Sequence, residues 1–564
     1  MTTRKNHRDK LEQNATSHIQ PEQDDGNKEY KLKLTNHSEH CIEQMATQMR
    51  FRMDEGQGEC VYTLGVTDNG GVIGLTEEEY KESHDVLQQT CNRNNYVMTL
   101  LAEQSVDKSR KMYEFLIREY NPTKYIDIKV ACAGNVDSGK TTMLGVLLSG
   151  KNDDGRGNAR LSVFNFAHEV KSGKTSSVAQ HILGFDEHGE IVNHDEHFGR
   201  KKTWPDIVKN SSKIVTFFDL CGHEPYLKTT IMGLTSQFPD VVFILVGANM
   251  GITRMTKEHM FLCLTLDIPF AIIITKIDLC GNRQKIMKET VQNVKKLLKL
   301  PGVRRIPCDV ETEEDVVLAA KNINSFSTTP MFYVSNVTGE GIDFVKQFLN
   351  IFIKRPRTIK NENNIEYHIE QTFQVPGIGI VVGGQLLQGT IRTGDKLLLG
   401  PNNGGYKTVQ VRSIHVKRVA VDEAESGRYV CLALSKIDRQ QIHRGNVLLS
   451  TVDNHYQVQE FEAEISVLKS HSTTIKPGYE PVLHTCAIRQ TARITEIRDK
   501  VCNRKGKQYD DNVLRTGDRA NVRFRFCYKP EYLKKDFRLL LAEGRVKVIG
   551  KVLGVTKEDC RVEK

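Results

Sequence analysis

Residues 134–141 read GNVDSGKT and follow the apolar run Ile126-Asp127-Ile128-Lys129-Val130-Ala131-Cys132-Ala133. A Gly-x4-Gly-Lys-Ser/Thr turn between a strand and a helix is a phosphate loop, and its chemistry explains each position. Gly134 and Gly139 let the loop N–H groups from Asn135 through Ser138, by way of Val136 and Asp137, curl around phosphate oxygens. Lys140 brings a charge to the terminal phosphates. The Thr141 hydroxyl is placed to hold Mg²⁺, and Thr142 begins the helical stretch 142–148. The expected ligand is a nucleoside triphosphate.

Three later signals, each preceded by a strand-like run, specify which nucleotide. Residues 213–223 read KIVTFFDLCGH. Asp219, at the strand end, suits the carboxylate that reaches Mg²⁺ through water. Gly222 has no side chain to keep its N–H from a γ-phosphate, a contact that GDP cannot make. Residues 269–278 read PFAIIITKID. Asp278 there can accept the N1–H and N2–H donors of guanine, the Lys276 stem would lie over the base, and Thr275 precedes them. A short run at 330–335 leads into SNVTGEG, where Ser335, Asn336 and Val337 would meet the base through backbone N–H groups. The order of these signals makes the ligand GTP or GDP.

Composition fits a large cytoplasmic enzyme. The chain has 564 residues, 39% of them apolar, enough for the cores of three to five domains. Its 13 cysteines include no CxxC pair, which argues against a structural zinc site or a disulfide framework. Buried reduced thiols are expected, as at Cys132 and Cys263. The start of the chain lacks the apolar stretch of a signal peptide, and no run reaches the length of a membrane span. Charge is unevenly placed. The whole chain carries +9, and residues 491–564, with 20 Lys and Arg against 11 Asp and Glu, account for all of it. Such a basic terminus suits a phosphate backbone.

Composition shifts suggest the organisation. Residues 1–28 are polar and read as a disordered tail. Residues 29–124 read as a small α/β domain without a catalytic constellation. In 125–355 strands alternate with helices, which calls for an α/β GTP-binding domain with a parallel sheet covered on both faces. Pro356 and the NENN stretch mark a linker. Short strands with Gly-rich turns then predict two β-barrels, over 365–455 and 456–560.

With these residues assembled, the chain resembles the translational GTPases of the elongation factor Tu and elongation factor 1-alpha class, in particular the GTP-binding protein 1 and 2 branch. The stretches GNVDSGKTTMLGVL, DDGRGNARLSVFNFAHEVKSGKTSSVAQHILGFD, DLCGHEPYLKTT and TKID carry the resemblance, with VPGIGIVVGG and LLAEGRVKVIGKVLGV in the barrels. It implies that Thr175 closes over Mg²⁺ and the γ-phosphate, so that the metal set is Thr141, Thr175 and Asp219. It also implies that His223 positions the attacking water while Lys140 stabilises developing charge. Two departures stand out. Thr275 occupies the place usual for asparagine, and Asn135 and Ser138 stand where bacterial elongation factors have histidines.

The resemblance implies partners too: the ribosome, tRNA or other RNA on the basic C-terminal barrel, a protein on the N-terminal domain, and no membrane. The alternative is a regulatory GTPase scaffold in mRNA turnover that delivers no aminoacyl-tRNA. A third reading, the GTPase subunit of a sulfate-activating enzyme, fits the three-domain layout but neither the DDGRGNARLSVFNFAHEVKSGKTSSVAQHILGFD stretch, which the resemblance implies is a switch region, nor the N-terminal domain.

Overall fold

The computed structural model describes residues 17–563, apart from 20, 23–25, 36–37, 57, 120–124, 165–166, 173–174, 195–201, 281–283, 301, 356–363, 403–404, 436, 451–454, 469–473, 502–511, 544 and 560. The expected linker at 356–363 therefore lies outside the described residues, as do residues 1–16 of the expected tail. Described residues of the remainder are paired rather than disordered. Ser17–His18 pairs with Gly71–Val72, and Glu22 receives the Arg52 guanidinium at 2.5 Å. The cause is a buried charge: Arg52 also meets Glu29 at 2.7 Å, so the segment is held by ionic contacts that local polarity does not reveal.

The first unit is a four-stranded sheet in the order Lys28–Lys31, Glu59–Leu64, Lys111–Glu119, Tyr96–Ser105. Two helices, Glu39–Glu55 and Glu77–Arg93, pack on it. The second opens with Thr76 and Glu79 in a reciprocal capping box, which satisfies the first free N–H groups of the helix. Glu59 on this sheet is buried against the Lys213 ammonium at 3.2 Å and the Arg118 guanidinium at 3.3 Å. Lys213 also donates to the Asn350 and Phe352 carbonyls, both at 2.7 Å. Burial pulls the Lys213 pKa down to about 7, with Glu59 opposing. Removing one partner from such a cluster strands the others, so it pins the small unit to its neighbour.

The neighbour is a seven-stranded sheet in the order Ile306–Asp309, Thr328–Val334, Phe270–Thr275, Val241–Gly247, Ile126–Gly134, Lys213–Asp219, Ala179–Phe185. All pairs are parallel except the last. Val241–Gly247 is buried at every position, as expected for a strand covered by helices on both faces. The central strand Ile126–Gly134 ends directly at the phosphate loop, and Lys140–Ser149 follows as a helix.

Two barrels complete the chain. In the first, Lys396–Asn402 pairs with both Val447–Leu449 and Gly405–Val416, closing a ring through Tyr429–Ser435, Gly379–Gln388 and Glu366–Val375. The second is closed in the order Tyr456–Val467, Arg519–Phe526, Ile488–Val501, Val482–Thr485, Arg538–Glu543, Arg545–Asp559. The last strand, Arg561–Glu563, returns to the first barrel and pairs parallel with Gly405–Lys407. Both barrels hold the nucleotide-type sheet unit. Lys417 meets Asp127 at 2.9 Å, Gln237 donates to Glu370, and Leu540 and Ala542 join the core beneath the Leu227–Ser236 helix.

Candidate nucleotide site

The carboxyl ends of the parallel strands open into a cavity of about 260 Å³. This is where an open α/β sheet presents its ligand. Val136, Asp137, Gly139, Lys140, Thr141 and Thr142 form one wall. Thr175, Gly222 and His223 close one end, while Lys276, Asp278, Asn336 and Val337 close the other. Gly134, Asn135, Ser138, Asp219, Thr275 and Ser335 sit behind these walls and shape them.

The loop curves because Asp137 and Gly139 take φ of +58° and +84°, which turns successive N–H groups inward. Gly134 is required by space: a Cβ there would lie 2.5 Å from the Leu245 carbonyl oxygen. Behind it, the buried His259 ring accepts the Gly134 N–H at Nδ1, 3.0 Å away. Burial, reinforced by Lys140, pulls the His259 pKa down to about 3, so the ring stays neutral and able to accept. Lys140 folds back along the loop, donating to the Asn135 carbonyl at 2.7 Å and the Gly134 carbonyl at 3.2 Å. Burial lowers its pKa, against the pull of Asp219.

Three oxygen-bearing side chains converge under the Thr141 end. The Thr141 hydroxyl donates to Asp219 Oδ2 at 2.6 Å and lies 3.0 Å from the Thr175 hydroxyl, which itself lies 3.2 Å from Asp219 Oδ2. Asp219 is fully buried, and its Oδ1 has no hydrogen-bond partner among the described residues. Burial raises its pKa despite Lys140 and the two hydroxyls. An orphaned carboxylate oxygen beside two hydroxyls is a hard-oxygen donor set, which fits Mg²⁺.

Thr175 is held by a residue that local pattern does not single out. The buried Glu169 Oε1 accepts the N–H groups of Ser176 and Ser177 at 2.8 and 3.3 Å, and their hydroxyls at 2.9 and 3.2 Å. Burial alone would raise the Glu169 pKa, but these donors bring it below the usual range. His223 stands at the cavity rim with a buried Nδ1 that has no partner among the described residues.

At the other end, the Thr275 hydroxyl donates to the Ser138 carbonyl at 2.7 Å. The Ser335 hydroxyl donates to Asp278 Oδ1 at 2.6 Å and accepts the Thr338 N–H at 3.1 Å. Lys276 turns out of the strand at φ +62°. The cavity is also lined by Asp153, Arg156 and Arg160, which the motifs did not reveal. Their one sequence signal was the Gly-rich spacing in DDGRGNAR.

Comparison with known proteins follows this geometry. The model for the elongation factor Tu GTP binding domain matches residues 127–387, that for elongation factor Tu domain 2 matches 379–449, and that for the GTP-eEF1A C-terminal domain-like family matches 460–535. GTP-binding protein 1 of Xenopus laevis is 42% identical over 525 residues, covering 93% of this chain and 78% of that protein. GTP-binding protein 2 of Homo sapiens is 42% identical over 553 residues, covering 96% and 89%. Among solved structures, translation elongation factor SelB from Methanococcus maripaludis, in complex with the GTP analogue GppNHp, matches with a TM-score of 0.52. It is 20% identical and covers 76% of this chain and 79% of that one, a likeness of fold.

Proposed function

Because the chain belongs to the elongation-factor-Tu-type GTPases and hydrolyses GTP, we propose that it is a translation-factor-like switch acting on the ribosome, tRNA or another RNA. The observation that carries the nucleotide part is the convergence of Thr141, Thr175 and Asp219 within 2.6–3.2 Å. One of these residues comes from the phosphate loop, one from the Ser/Thr-rich segment and one from a strand end. A ligand that needs all three accounts for burying a carboxylate there.

In this reading the loop N–H groups from Asn135 to Gly139, with Lys140, cradle the phosphates. Thr141, Thr175 and Asp219 hold Mg²⁺, which when bound neutralises charge on the outer phosphates. The Gly222 N–H reports the γ-phosphate. Asp278 accepts from the guanine edge while the Ser335–Asn336–Val337 loop covers the base, and Ser335 fixes the Asp278 rotamer. His223 orients a water for in-line attack, and Lys140 and the loop donors stabilise the charge that develops. Asp278→Asn tests the base assignment. A carboxamide presents a donor to the C2 substituent, so affinity shifts from GTP to xanthosine triphosphate. Equal uptake of ATP and GTP by the native chain would sink it.

The basic C-terminal barrel supports an RNA partner, but its outer face favours a second reading. Arg519, Arg523 and Arg525 are exposed and lie 3.5–4.0 Å from the half-buried Glu464, Glu496 and Glu460. A face of alternating sign suits a protein partner as well as a phosphate backbone, consistent with a regulatory scaffold in mRNA turnover. GTP-dependent protection of aminoacyl-tRNA from deacylation separates the two: protection supports delivery, and its absence supports the scaffold.

A further inference from the structure

Resting on the nucleotide-site reading above, the geometry points to Arg160 as a clamp on the non-transferred phosphates shared by GTP and GDP, with Asp153 as its positioning residue. Asp153 is buried, and its carboxylate gathers a whole loop. Oδ2 accepts the Gly155 and Gly157 N–H groups at 3.0 and 2.9 Å, and Oδ1 accepts that of Ala159 at 2.9 Å. The loop is fastened at both ends. The Asp153 N–H donates to the Asn336 carbonyl at 2.8 Å, at the base end of the cavity. The Ala159 carbonyl lies against Gly145 of the Lys140–Ser149 helix, so close that a Cβ at Gly145 would be 2.2 Å from it.

The loop therefore spans from the base end of the cavity to the flank of the Lys140–Ser149 helix at Gly145. Fastened at the base end, it would bring a cation to the phosphates nearest the ribose.

Arg160 projects there from Asn158–Ser162 and lines the cavity. Its guanidinium rests on Gly157, where a Cβ would lie 3.0 Å from Nε, so the missing side chain is its seat. Gly157 also has a φ of +82°, which other residues rarely adopt. Half-buried, the guanidinium forms no ion pair or hydrogen bond with any described residue, while the Asp153 carboxylate is occupied by three backbone N–H groups of its own loop. A preorganised, uncompensated cation in a phosphate-shaped cavity fits an anionic oxygen.

The experiment measures GTP and GDP dissociation constants of the full chain with fluorescent analogues, for Arg160→Ala and Arg160→Lys, alongside the melting temperature of the ligand-free proteins. Arg160→Ala is expected to weaken both nucleotides by the same factor, roughly 10- to 100-fold. Arg160→Lys should recover part of that loss, and both ligand-free melting temperatures should stay within about 2 °C of the native chain. Unchanged GDP affinity, a loss confined to GTP, or a lysine variant no better than alanine would each overturn the clamp. If Arg160→Ala is silent while Asp278→Asn still switches base preference, the clamp fails and the site stands. If the native chain binds neither nucleotide, the site itself fails.

Discussion

The hydroxyl of Thr275 donates to the backbone carbonyl of Ser138 across 2.7 Å, joining the end of the base-side strand to the phosphate loop. Both residues are buried, so neither can turn to water. The family's usual asparagine is longer, yet the shorter threonine closes the same gap. Thr275→Val keeps the shape and leaves the carbonyl unsatisfied, at a cost of about 1–3 kcal/mol. GTP and GDP affinity should both fall, by roughly 30-fold at the middle of that range. Isothermal titration of the valine variant checks this, and native affinity would show that the bond does not hold the loop.

A Cβ at Gly222 would lie 2.4 Å from the Lys140 ammonium and 2.7 Å from the Gly134 carbonyl oxygen. The lysine tip can swing away, but the loop carbonyl cannot without disturbing the phosphate cradle. Gly222→Ala is therefore expected to lose GTP more than GDP, by roughly tenfold or more, if the displaced N–H is the one that meets the third phosphate, as proposed. Equal affinities for both nucleotides would remove Gly222 from γ-phosphate sensing.

His223 touches the cavity through its rim, and its ring nitrogen is free of described partners. His223→Ala should retain GTP binding and lose most of the hydrolysis stimulated by a docked partner. Loss of a water-positioning group costs on the order of 10²-fold or more in rate. Single-turnover hydrolysis with ribosomes present gives the answer. Stimulated turnover at the native rate would exclude the residue from the chemistry.

Glu370 lies buried where the first barrel meets the end of the Leu227–Ser236 helix. Burial pushes its pKa up to about 7, against the opposing pull of Arg444. The sign follows from linkage: unfolding lets this carboxyl ionise near its ordinary value, so the folded state holds an extra proton between about pH 4.5 and pH 7. Stability from this group is full at low pH and declines as pH rises through that window, by up to about 3 kcal/mol. Glu370→Gln should flatten the fall in melting temperature across pH 5–7.5. An unchanged slope would place the titration elsewhere.

Much of the site was legible in the sequence because its chemistry is local. A phosphate loop works through consecutive N–H groups, so GNVDSGKT identifies itself, and Asp219, Gly222, Asp278 and Ser335 follow strands recognisable by their apolar runs. The residues that hold these groups in place were not legible. Glu169 was one carboxylate in a charged stretch, and His259 one histidine in a helix. Arg160 was one arginine in a Gly-rich loop. Their neighbours in the chain do not say what each side chain meets. The same holds for Glu59 with Lys213, joined across 154 positions, and for Arg561–Glu563 returning to the first barrel.

The sequence alone determined which elements form and where the phosphate loop lies between strand and helix, because backbone periodicity and turn chemistry act over a few residues. The tertiary structure decided what is buried with what. It brought Asp219 under Thr141 and Thr175 and gave Glu169 the Ser176 and Ser177 donors that hold the stretch after Thr175. It also left the Arg160 charge without a partner among the described residues at the cavity. Burial and desolvation set those outcomes, and they depend on groups far apart in the chain that meet only when the whole fold has closed.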